Sequence, residues 1–291
     1  MDNAKVPLRT RVVNVLRAPL RGQSVDGGGR TLVQERVRPS ASEGQLRDLN
    51  VRGVRHDCTP SGRGATPVSS GVVAADERAI ASDSGRRQHV VIVDFGMGNL
   101  HSLRRKLDAM CSSVTISADP AVVGRADKLV MPGVGHFGRA MENLRSLHLV
   151  DALNEAARVR RVPTLGICLG MQLMARRSEE GGAEGLGWVD ADVVRIRVSD
   201  KLRHKIPHVG YARITAERQS LLLKDLPDDA EFYFVHSYNL QARQPDLVLC
   251  ESIYAHPFTS AIEHGNLFGV QFHPEKSQRV GDRLLRNFVE L

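Results

Sequence analysis

The first 88 residues contain no aromatic side chain, although the chain has 8 Phe, 4 Tyr and 1 Trp. The same stretch carries 15 Lys and Arg against 9 Asp and Glu, together with 10 of the 26 glycines. Few large apolar groups and an excess of like charge do not offset the entropy lost when a chain becomes ordered. We therefore expect residues 1–88 to form a basic, disordered extension and residues 89–291 to form the folded domain.

Other interpretations of residues 1–88 stay open. The positive charge is typical of nucleic-acid binding, but the segment has no aromatic ring on which a base can stack, which favours simple solvated charge. Arg and Ser are frequent, as in organellar transit peptides, but nine acidic residues argue against one. A third interpretation places the true start of translation near Val90, far downstream of Met1.

Long hydrophobic runs and paired cysteines are also missing. No uncharged apolar run reaches the roughly 18–20 residues that a membrane-spanning helix needs. His204 and His208 have the spacing of a helical metal pair, but Pro207 breaks such a helix. The four cysteines form no C-x-x-C pair and no zinc-type cluster with histidine; they are Cys58, Cys111, Cys168 and Cys250. We expect a reduced, cytoplasmic protein without metal or cofactor.

Short apolar runs alternate with amphipathic stretches between residues 90 and 177. Predicted strands lie at 90–94, 114–117, 128–131 (ending before Pro132) and 164–167. Predicted helices lie at 99–110, 139–146, 149–160 and 169–177. This alternation is typical of an α/β fold with a parallel sheet covered on both faces. Strand-like segments at 189–198, 231–235, 247–253, 259–262 and 267–272 follow, and they predict an added antiparallel section before a closing helix at 282–291.

A reactive cysteine is predicted at residues 166–170, which read G-I-C-L-G between a strand and a helix. This is the thiol version of a nucleophile elbow. The flanking glycines permit a sharp turn that exposes Cys168, and the backbone N–H of Leu169 faces the position of a developing oxyanion. A thiolate at a helix N-terminus is also favoured by the helix dipole.

A base for this thiol is predicted at residues 271–275, which read Q-F-H-P-E. His273 and Glu275 are two residues apart, so they project to the same side of an extended segment. A carboxylate placed there can orient the imidazole and stabilise its protonated form. Residues 132–135 read P-G-V-G, which can supply a second oxyanion donor or can be an ordinary turn.

Several blocks of the sequence, taken in order, match a known family. They are D-F-G-M-G-N-L at 94–100, P-G-V-G at 132–135, G-I-C-L-G-M-Q at 166–172, S-E-E at 178–180, G-L-G at 185–187, I-P-H-V-G at 206–210, F-V-H-S-Y at 234–238 and Q-F-H-P-E-K-S at 271–277. Residues 90–291 thus resemble the class I (triad) glutamine amidotransferases, which have a flavodoxin-like, mainly parallel sheet. Within them the resemblance is to the glutaminase subunits of imidazole glycerol phosphate synthase.

The resemblance implies a Cys-His-Glu triad that converts L-glutamine to glutamate and ammonia. In it Cys168 attacks the side-chain amide, His273 transfers protons and Glu275 orients His273. It also implies a group of oxyanion and glutamine contacts, formed by Gly133, Val134, Leu169, Gln172, His236, Ser237 and Tyr238. No cofactor or metal is implied.

The resemblance also implies a heterodimer with a (β/α)8-barrel cyclase subunit that receives the ammonia through a closed path. That complex makes imidazole glycerol phosphate and aminoimidazole carboxamide ribonucleotide in histidine biosynthesis. The implied interface contains Asn99, Pro207, His208 and Gly210. Two departures concern this assignment: Tyr211-Ala212 replaces the usual Trp-Asn, and Arg139 replaces an Asp. An alternative is therefore a paralogous protein that supplies ammonia to a cyclase-like partner in bacterial surface-sugar biosynthesis.

Three functions of other classes compete with this interpretation. A non-catalytic regulatory protein with the same fold is disfavoured because all three triad residues are present. A thiol peptidase on a related fold is disfavoured because the His-x-Glu pair follows the last strand. A nucleic-acid-binding extension carried by a passenger enzyme predicts a steeply salt-dependent affinity that is lost when the extension is deleted.

Overall fold

The computed structural model describes residues 88–111 and 113–291, so the prediction for 1–88 concerns residues that lie, except for residue 88, outside the described part. The strands are β1 (His89–Val93), β2 (Ser113–Ser117), β3 (Lys128–Gly133), β4 (Thr164–Cys168), β5 (Arg177–Ser178), β6 (Ala183–Glu184), β7 (Ala191–Arg195), β8 (His208–Arg213), β9 (Thr215–Ala216), β10 (Glu231–His236), β11 (Tyr238–Ala242), β12 (Val248–Tyr254), β13 (His256–His264) and β14 (Leu267–Val270). The helices are α1 (Leu100–Asp108), α2 (Pro120–Val123), α3 (Phe137–Ser146), α4 (Leu149–Asn154), α5 (Leu169–Leu173) and α6 (Gln278–Glu290). Within this part, no helix combines the length and apolarity needed to cross a membrane.

The main sheet of the described residues has eight strands in the order β2-β1-β3-β4-β14-β13-β12-β9. The first five of these strands are parallel to their neighbours, and the last three add in antiparallel fashion. Two smaller sheets pair β10 with β8 and order four short strands as β11-β7-β5-β6. The predicted α/β fold, with a parallel sheet and an antiparallel section, is confirmed.

Two apolar cores cover the opposite faces of the main sheet. On β1, Val91 and Val93 belong to one core, whereas Val90 and Ile92 belong to the other. This division follows from the two-residue period of a strand, and both faces are buried because helices cover each of them. Helices α3, α4 and α5 contribute to the first core, and helices α1 and α6 contribute to the second.

The predicted end of the third strand is wrong by two residues, because β3 continues through Pro132 and Gly133. Proline is excluded from central strands since it has no N–H for the ladder. Here the pairing of β3 with β1 ends at Val130, while its pairing with β4 extends to Gly133. Pro132 therefore has one neighbouring strand, as a residue on a sheet edge has.

Other boundaries also differ from prediction. The predicted helix at 149–160 is α4 followed by a π-helical turn at Glu155–Val159. The predicted helix at 169–177 ends at Leu173 because β5 takes Arg177–Ser178 into the second sheet. Helix α6 begins four residues earlier than predicted, at Gln278. Of the longer strands, β8 and β11 have no counterpart in the prediction.

Candidate active site

Cys168 lies at the tip of a strained turn between β4 and α5. Its backbone has φ 54° and ψ −107°, a conformation that residues other than glycine rarely adopt. The turn leaves no space for a Cβ at either flanking glycine. A Cβ on Gly166 would meet Met171 N at 2.6 Å, and one on Gly170 would meet Met131 O at 1.6 Å. The predicted elbow geometry is therefore present, at the carboxyl edge of the parallel strands.

His273 and Glu275 lie just beyond β14, the strand beside β4. His273 Nδ1 is 2.8 Å from Glu275 Oε1, and both side chains are buried. Burial alone lowers the pKa of His273, but its interactions with Cys168 and Glu275 outweigh this and raise the pKa to about 9. Its other ring nitrogen, Nε2, is buried and finds no hydrogen-bond partner among the described residues. Glu275 thus occupies Nδ1, and Nε2 is the ring nitrogen left for another group.

A chain of amide hydrogen bonds leads away from the sulfur. Gln172 Nε2 donates to the carbonyl oxygen of Tyr238 and to Gln271 Oε1, both at 2.9 Å. Gln271 Nε2 in turn lies 3.5 Å from Cys168 Sγ. Since a carbonyl oxygen only accepts, Gln172 must direct its NH₂ group toward Tyr238. Both hydrogens of that group are then used, and Gln172 has only Oε1 left for a ligand.

Two buried histidines end this chain. His236 Nδ1 donates to the same Tyr238 carbonyl at 2.9 Å, so its Nε2 accepts from His208 Nδ1 at 3.1 Å. The His208 ring stacks on Tyr254 and Phe234. Burial lowers the pKa of His208 to about 4 and that of His236 to about 3. Both imidazoles are therefore neutral near pH 7, with a fixed direction of hydrogen bonding.

A pocket of about 450 Å³ opens over the thiol. Its walls contain Val134, Gly135, Cys168, Leu169, Gln172, Glu180, Pro207, Val235, His236, Ser237, Tyr238 and Lys276. Three larger grooves occur elsewhere on the described surface, but none is lined by a cysteine. Of these four pockets, the one over Cys168 is lined by a cysteine.

Most of the predicted substrate-contact residues line this pocket, and Gly133 is the exception. Gly133 is buried at the end of β3, where it pairs with Cys168 across the sheet. His273 and Glu275 do not line the pocket, and His273 interacts with Cys168 from behind its wall.

The residues predicted for a partner interface differ in how exposed they are. Asn99 is exposed and caps the N-terminus of α1, where its Oδ1 accepts from Ser102 N. Pro207 is exposed at the pocket rim, and Gly210 is half-buried on β8. His208 is buried behind His236.

Sequence reasoning did not single out Glu180 and Lys276, although both lie in the S-E-E and Q-F-H-P-E-K-S blocks. Glu180 Oε2 accepts from the Phe137 N–H at 2.8 Å, which fixes the carboxylate at the pocket wall. Gly135, the last residue of P-G-V-G, has φ +121°, and a Cβ there would meet Met97 Cε at 2.5 Å. Glu180 and Lys276 could have been found from the sequence, because they belong to the S-E-E and Q-F-H-P-E-K-S blocks that match the family.

The model of the family "Glutamine amidotransferase class-I" matches residues 91–291. The chain therefore belongs to the class-I glutamine amidotransferases, as the triad and the elbow predict. A solved structure described as PurLQS from Thermotoga maritima shares the fold. Its TM-score is 0.55 at 11% identity, over 70% of this chain and 99% of that one.

Within that class, the chain is similar to imidazole glycerol phosphate synthase HisH subunits. It is 40% identical over 202 residues to subunit HisH 2 of Pseudomonas aeruginosa, which covers 69% of this chain and 99% of that protein. It is 44% identical over 203 residues to subunit HisH of Yersinia pseudotuberculosis, again over 69% and 99%. The resemblance predicted from the sequence blocks is confirmed.

Proposed function

We propose that this chain is the glutaminase subunit of an imidazole glycerol phosphate synthase. The observation that carries the proposal is the buried His273–Glu275 pair beside the elbow cysteine, in a chain that spans nearly the whole length of the HisH subunits. The substrate is L-glutamine, and the products are glutamate and ammonia. The ammonia serves a cyclase partner in histidine biosynthesis. Free thiols at Cys111, Cys168 and Cys250 are compatible with the cytoplasm, where we place the reaction.

The first half of the reaction forms a thioester. His273 Nε2 takes the thiol proton, and Cys168 Sγ bonds to the side-chain amide carbon of glutamine. When the tetrahedral intermediate collapses, the C–N bond breaks and His273 returns the proton to the departing nitrogen, which leaves as ammonia. With a pKa of about 9, His273 is protonated at neutral pH, the state in which it can act as this acid.

The second half returns the enzyme to its starting state. A water molecule loses a proton to His273 Nε2, and its oxygen attacks the thioester carbon. Glutamate leaves as the C–S bond breaks, and the sulfur recovers its proton from His273. Glu275 retains its hydrogen bond to Nδ1 throughout, and so keeps Nε2 directed toward the sulfur.

Backbone N–H groups next to the sulfur are the proposed oxyanion donors. The Leu169 N–H directly follows the nucleophile in the elbow, which is the usual position of one donor. Gly133 is paired with Cys168 across β3 and β4, so the Gly133–Val134 peptide adjoins the same side of the reacting carbon. Two donors at this position stabilise the charge that develops in the tetrahedral intermediate.

The opposite wall of the pocket supports recognition of the α-ammonium group of glutamine. Gln172 has only its Oε1 acceptor left, and Glu180 adds a carboxylate that the Phe137 N–H orients. An acceptor and a negative charge fit a cation better than any neutral group. The backbone of His236–Tyr238 completes the shell that the family resemblance implies.

The proposed partner is a (β/α)8-barrel cyclase subunit, in keeping with the name of the HisH relatives. Its proposed contact surface includes Asn99, Pro207 and Gly210. His208 is buried, but its chain neighbours Pro207 and Val209 are exposed on that surface. Val209 is 56% exposed and Tyr211 is 49% exposed, so this strand presents apolar surface beside the pocket. Ammonia released at Cys168 would then leave toward β8 without passing through bulk water.

The experiment that tests this function is a coupled assay. The purified chain is mixed with glutamine and the histidine-pathway cyclase, with and without the cyclase nucleotide substrate, and glutamate release is measured. We expect strong stimulation by the substrate-bound cyclase. Cys168→Ala should abolish the glutamine-dependent reaction and leave the ammonia-dependent reaction of the cyclase intact.

Absence of stimulation, with Cys168 still labelled by a reactive glutamine analogue, would contradict the histidine-pathway assignment. It would favour a different acceptor, such as a surface-sugar cyclase-like partner. Loss of the ammonia-dependent reaction in Cys168→Ala would contradict the separation of roles between the two subunits.

A further inference from the structure

We propose that Gln271 is a positioning residue for the reactive sulfur, holding Cys168 Sγ with a directed amide N–H that favours the thiolate. The proposal rests on the proposed function, since it concerns the nucleophile of that reaction. The pattern Q-F-H-P-E assigns roles to His273 and Glu275 and leaves Gln271 without one. Gln271 is fully buried, two residues before His273.

Three contacts fix Gln271 in place. Its backbone N–H donates to Ser260 O at 2.9 Å, which ties the segment to β13. Its Oε1 accepts from Gln172 Nε2 at 2.9 Å, and its Nε2 lies 3.5 Å from Cys168 Sγ. A buried long side chain held at both ends of its amide has little freedom to move away from the sulfur.

The direction of the Gln271 amide follows from the hydrogen-bonding needs of its neighbours. Gln172 Nε2 must donate because Tyr238 O can only accept, and its second hydrogen points to Gln271. If the Gln271 amide were reversed, two NH₂ groups would face each other, and the second hydrogen of Gln172 would have no acceptor. The NH₂ group of Gln271 therefore faces the sulfur.

An N–H donor favours a thiolate over a thiol, because hydrogen bonds to a charged acceptor are the stronger ones. His273 provides a similar interaction, but it gains and loses a proton during each turnover. The Gln271 amide does not titrate, so it remains a donor to the sulfur whether His273 is neutral or protonated. When the sulfur leaves the thioester as an anion, it therefore keeps this donor while His273 gives up the proton that it took from water.

The test compares Gln271→Leu and Gln271→Glu with wild type. Leu removes the donor, whereas Glu keeps the shape and the acceptor for Gln172 but turns an anionic oxygen toward the sulfur. The readout is the rate of alkylation of Cys168 by iodoacetamide as a function of pH, followed on the Cys168 peptide by mass spectrometry. Gln219→Glu, on an exposed loop, is the matched control for the added charge.

We expect the pH of half-maximal alkylation to rise by about one unit in Gln271→Leu and further in Gln271→Glu, with about tenfold slower alkylation at neutral pH. Gln219→Glu should match wild type. In the cyclase-stimulated assay, kcat should fall while KM stays nearly constant. Circular dichroism and the melting temperature identify variants that have not folded, and Gln271→Glu is the variant that best preserves packing.

An unchanged alkylation profile in both folded variants would overturn the proposal and leave Gln271 as a packing residue. Failure of the proposed function is recognised separately. It would show as a wild-type chain that does not hydrolyse glutamine with the cyclase present, whereas the alkylation of Cys168 needs neither glutamine nor a partner.

Discussion

The imidazole of His273 interacts with two side chains that both favour its protonated form, Cys168 and Glu275. Glu275 has the additional role of fixing which ring nitrogen faces the thiol, since it occupies Nδ1. Burial lowers the pKa of His273, but the interactions with Cys168 and Glu275 raise it by more. The protonated ring is therefore the favoured form at neutral pH, which is the acid that a departing nitrogen needs.

Glu275→Gln should lower kcat by about 10²–10⁴-fold and change KM for glutamine little. The variant removes the charge that stabilises imidazolium and permits the wrong tautomer, and both effects act on the reacting state. Stimulated steady-state kinetics measure this. A rise in KM with an unchanged kcat would instead place Glu275 in substrate binding.

Glu180→Gln should show the reverse pattern. The amide can still accept from the Phe137 N–H, so the pocket wall keeps its shape while the negative charge is lost. We expect KM for glutamine to rise by about tenfold or more, because an ion pair with the α-ammonium group is worth about 1.5–3 kcal/mol. The kcat should stay within a few-fold of wild type. A change in kcat alone would refute the ammonium assignment.

Among the elements, the turn between β4 and α5 has the tightest steric requirements. Gly170→Ala should destabilise the fold by more than about 4 kcal/mol, because its Cβ would lie 1.6 Å from Met131 O on the adjacent strand. Gly182→Ala is the control. Gly182, unlike Gly170, has positive φ, but nothing lies within 4 Å of its Cβ, so only about 1–2 kcal/mol should be lost. Urea unfolding measures both.

The buried histidines make the free energy of unfolding depend on pH. His208 and His236 lower it in acid, and His273 lowers it in alkali. For His208 and His236 the folded pKa lies below the ordinary 6.5, so unfolding takes up protons and stability falls as pH drops from 6.5 toward 4. For His273 the folded pKa is raised to about 9, so its contribution is complete below 6.5 and is lost as pH rises to 9.

The free energy of unfolding should therefore be greatest near pH 6.5. On the acid side, two extra protons taken up on unfolding give a slope of up to about 2.7 kcal/mol per pH unit. Urea titrations from pH 4 to pH 9 measure the curve. In Glu275→Gln the decline on the alkaline side should become shallower, and an unaltered decline would show that His273 is not its source.

Elements whose signals are local were predictable, and elements that depend on tertiary partners were not. Strands β1 and β4 are continuous apolar runs, and the elbow is a five-residue pattern. In β8, by contrast, the inward positions carry His208 and Gly210 while Val209 is exposed, so the strand lacks an apolar side toward the core. It exists because β10 pairs with it. The extension of β3 through Pro132 depends on where β1 ends, which is information that the local sequence does not contain.

The site shows the same division. The triad follows from residue type and spacing, whereas the amide chain from Gln172 to Gln271 joins segments 99 residues apart. The neutral state of His208 and His236 follows from burial among the rings of Phe234, Tyr254 and Phe258, which lie on β10, β12 and β13. Neither feature has a sequence signature, because each depends on how distant segments meet.

For the molecule as a whole, the family match covers residues 91–291 and leaves the basic N-terminal segment outside. We propose that residues 89–291 fold without it. Deletion of residues 1–88 should leave the melting temperature within about 2 °C of the full chain, because the composition predicts that the segment buries little apolar surface. Scanning calorimetry of both chains measures this. A large drop would show that the segment packs on the domain.

Cys168 illustrates a conflict between reactivity and stability that natural selection has resolved in favour of reactivity. At most buried positions alanine is more stable than glycine, by about 0.5–1 kcal/mol. At Cys168, where φ is 54°, the order should reverse, with Cys168→Gly more stable than Cys168→Ala by about 1 kcal/mol. At the buried Cys250, whose φ is not positive, the ordinary order should hold. The backbone at position 168 would thus be least strained with glycine, a residue that has no side chain with which to perform the reaction.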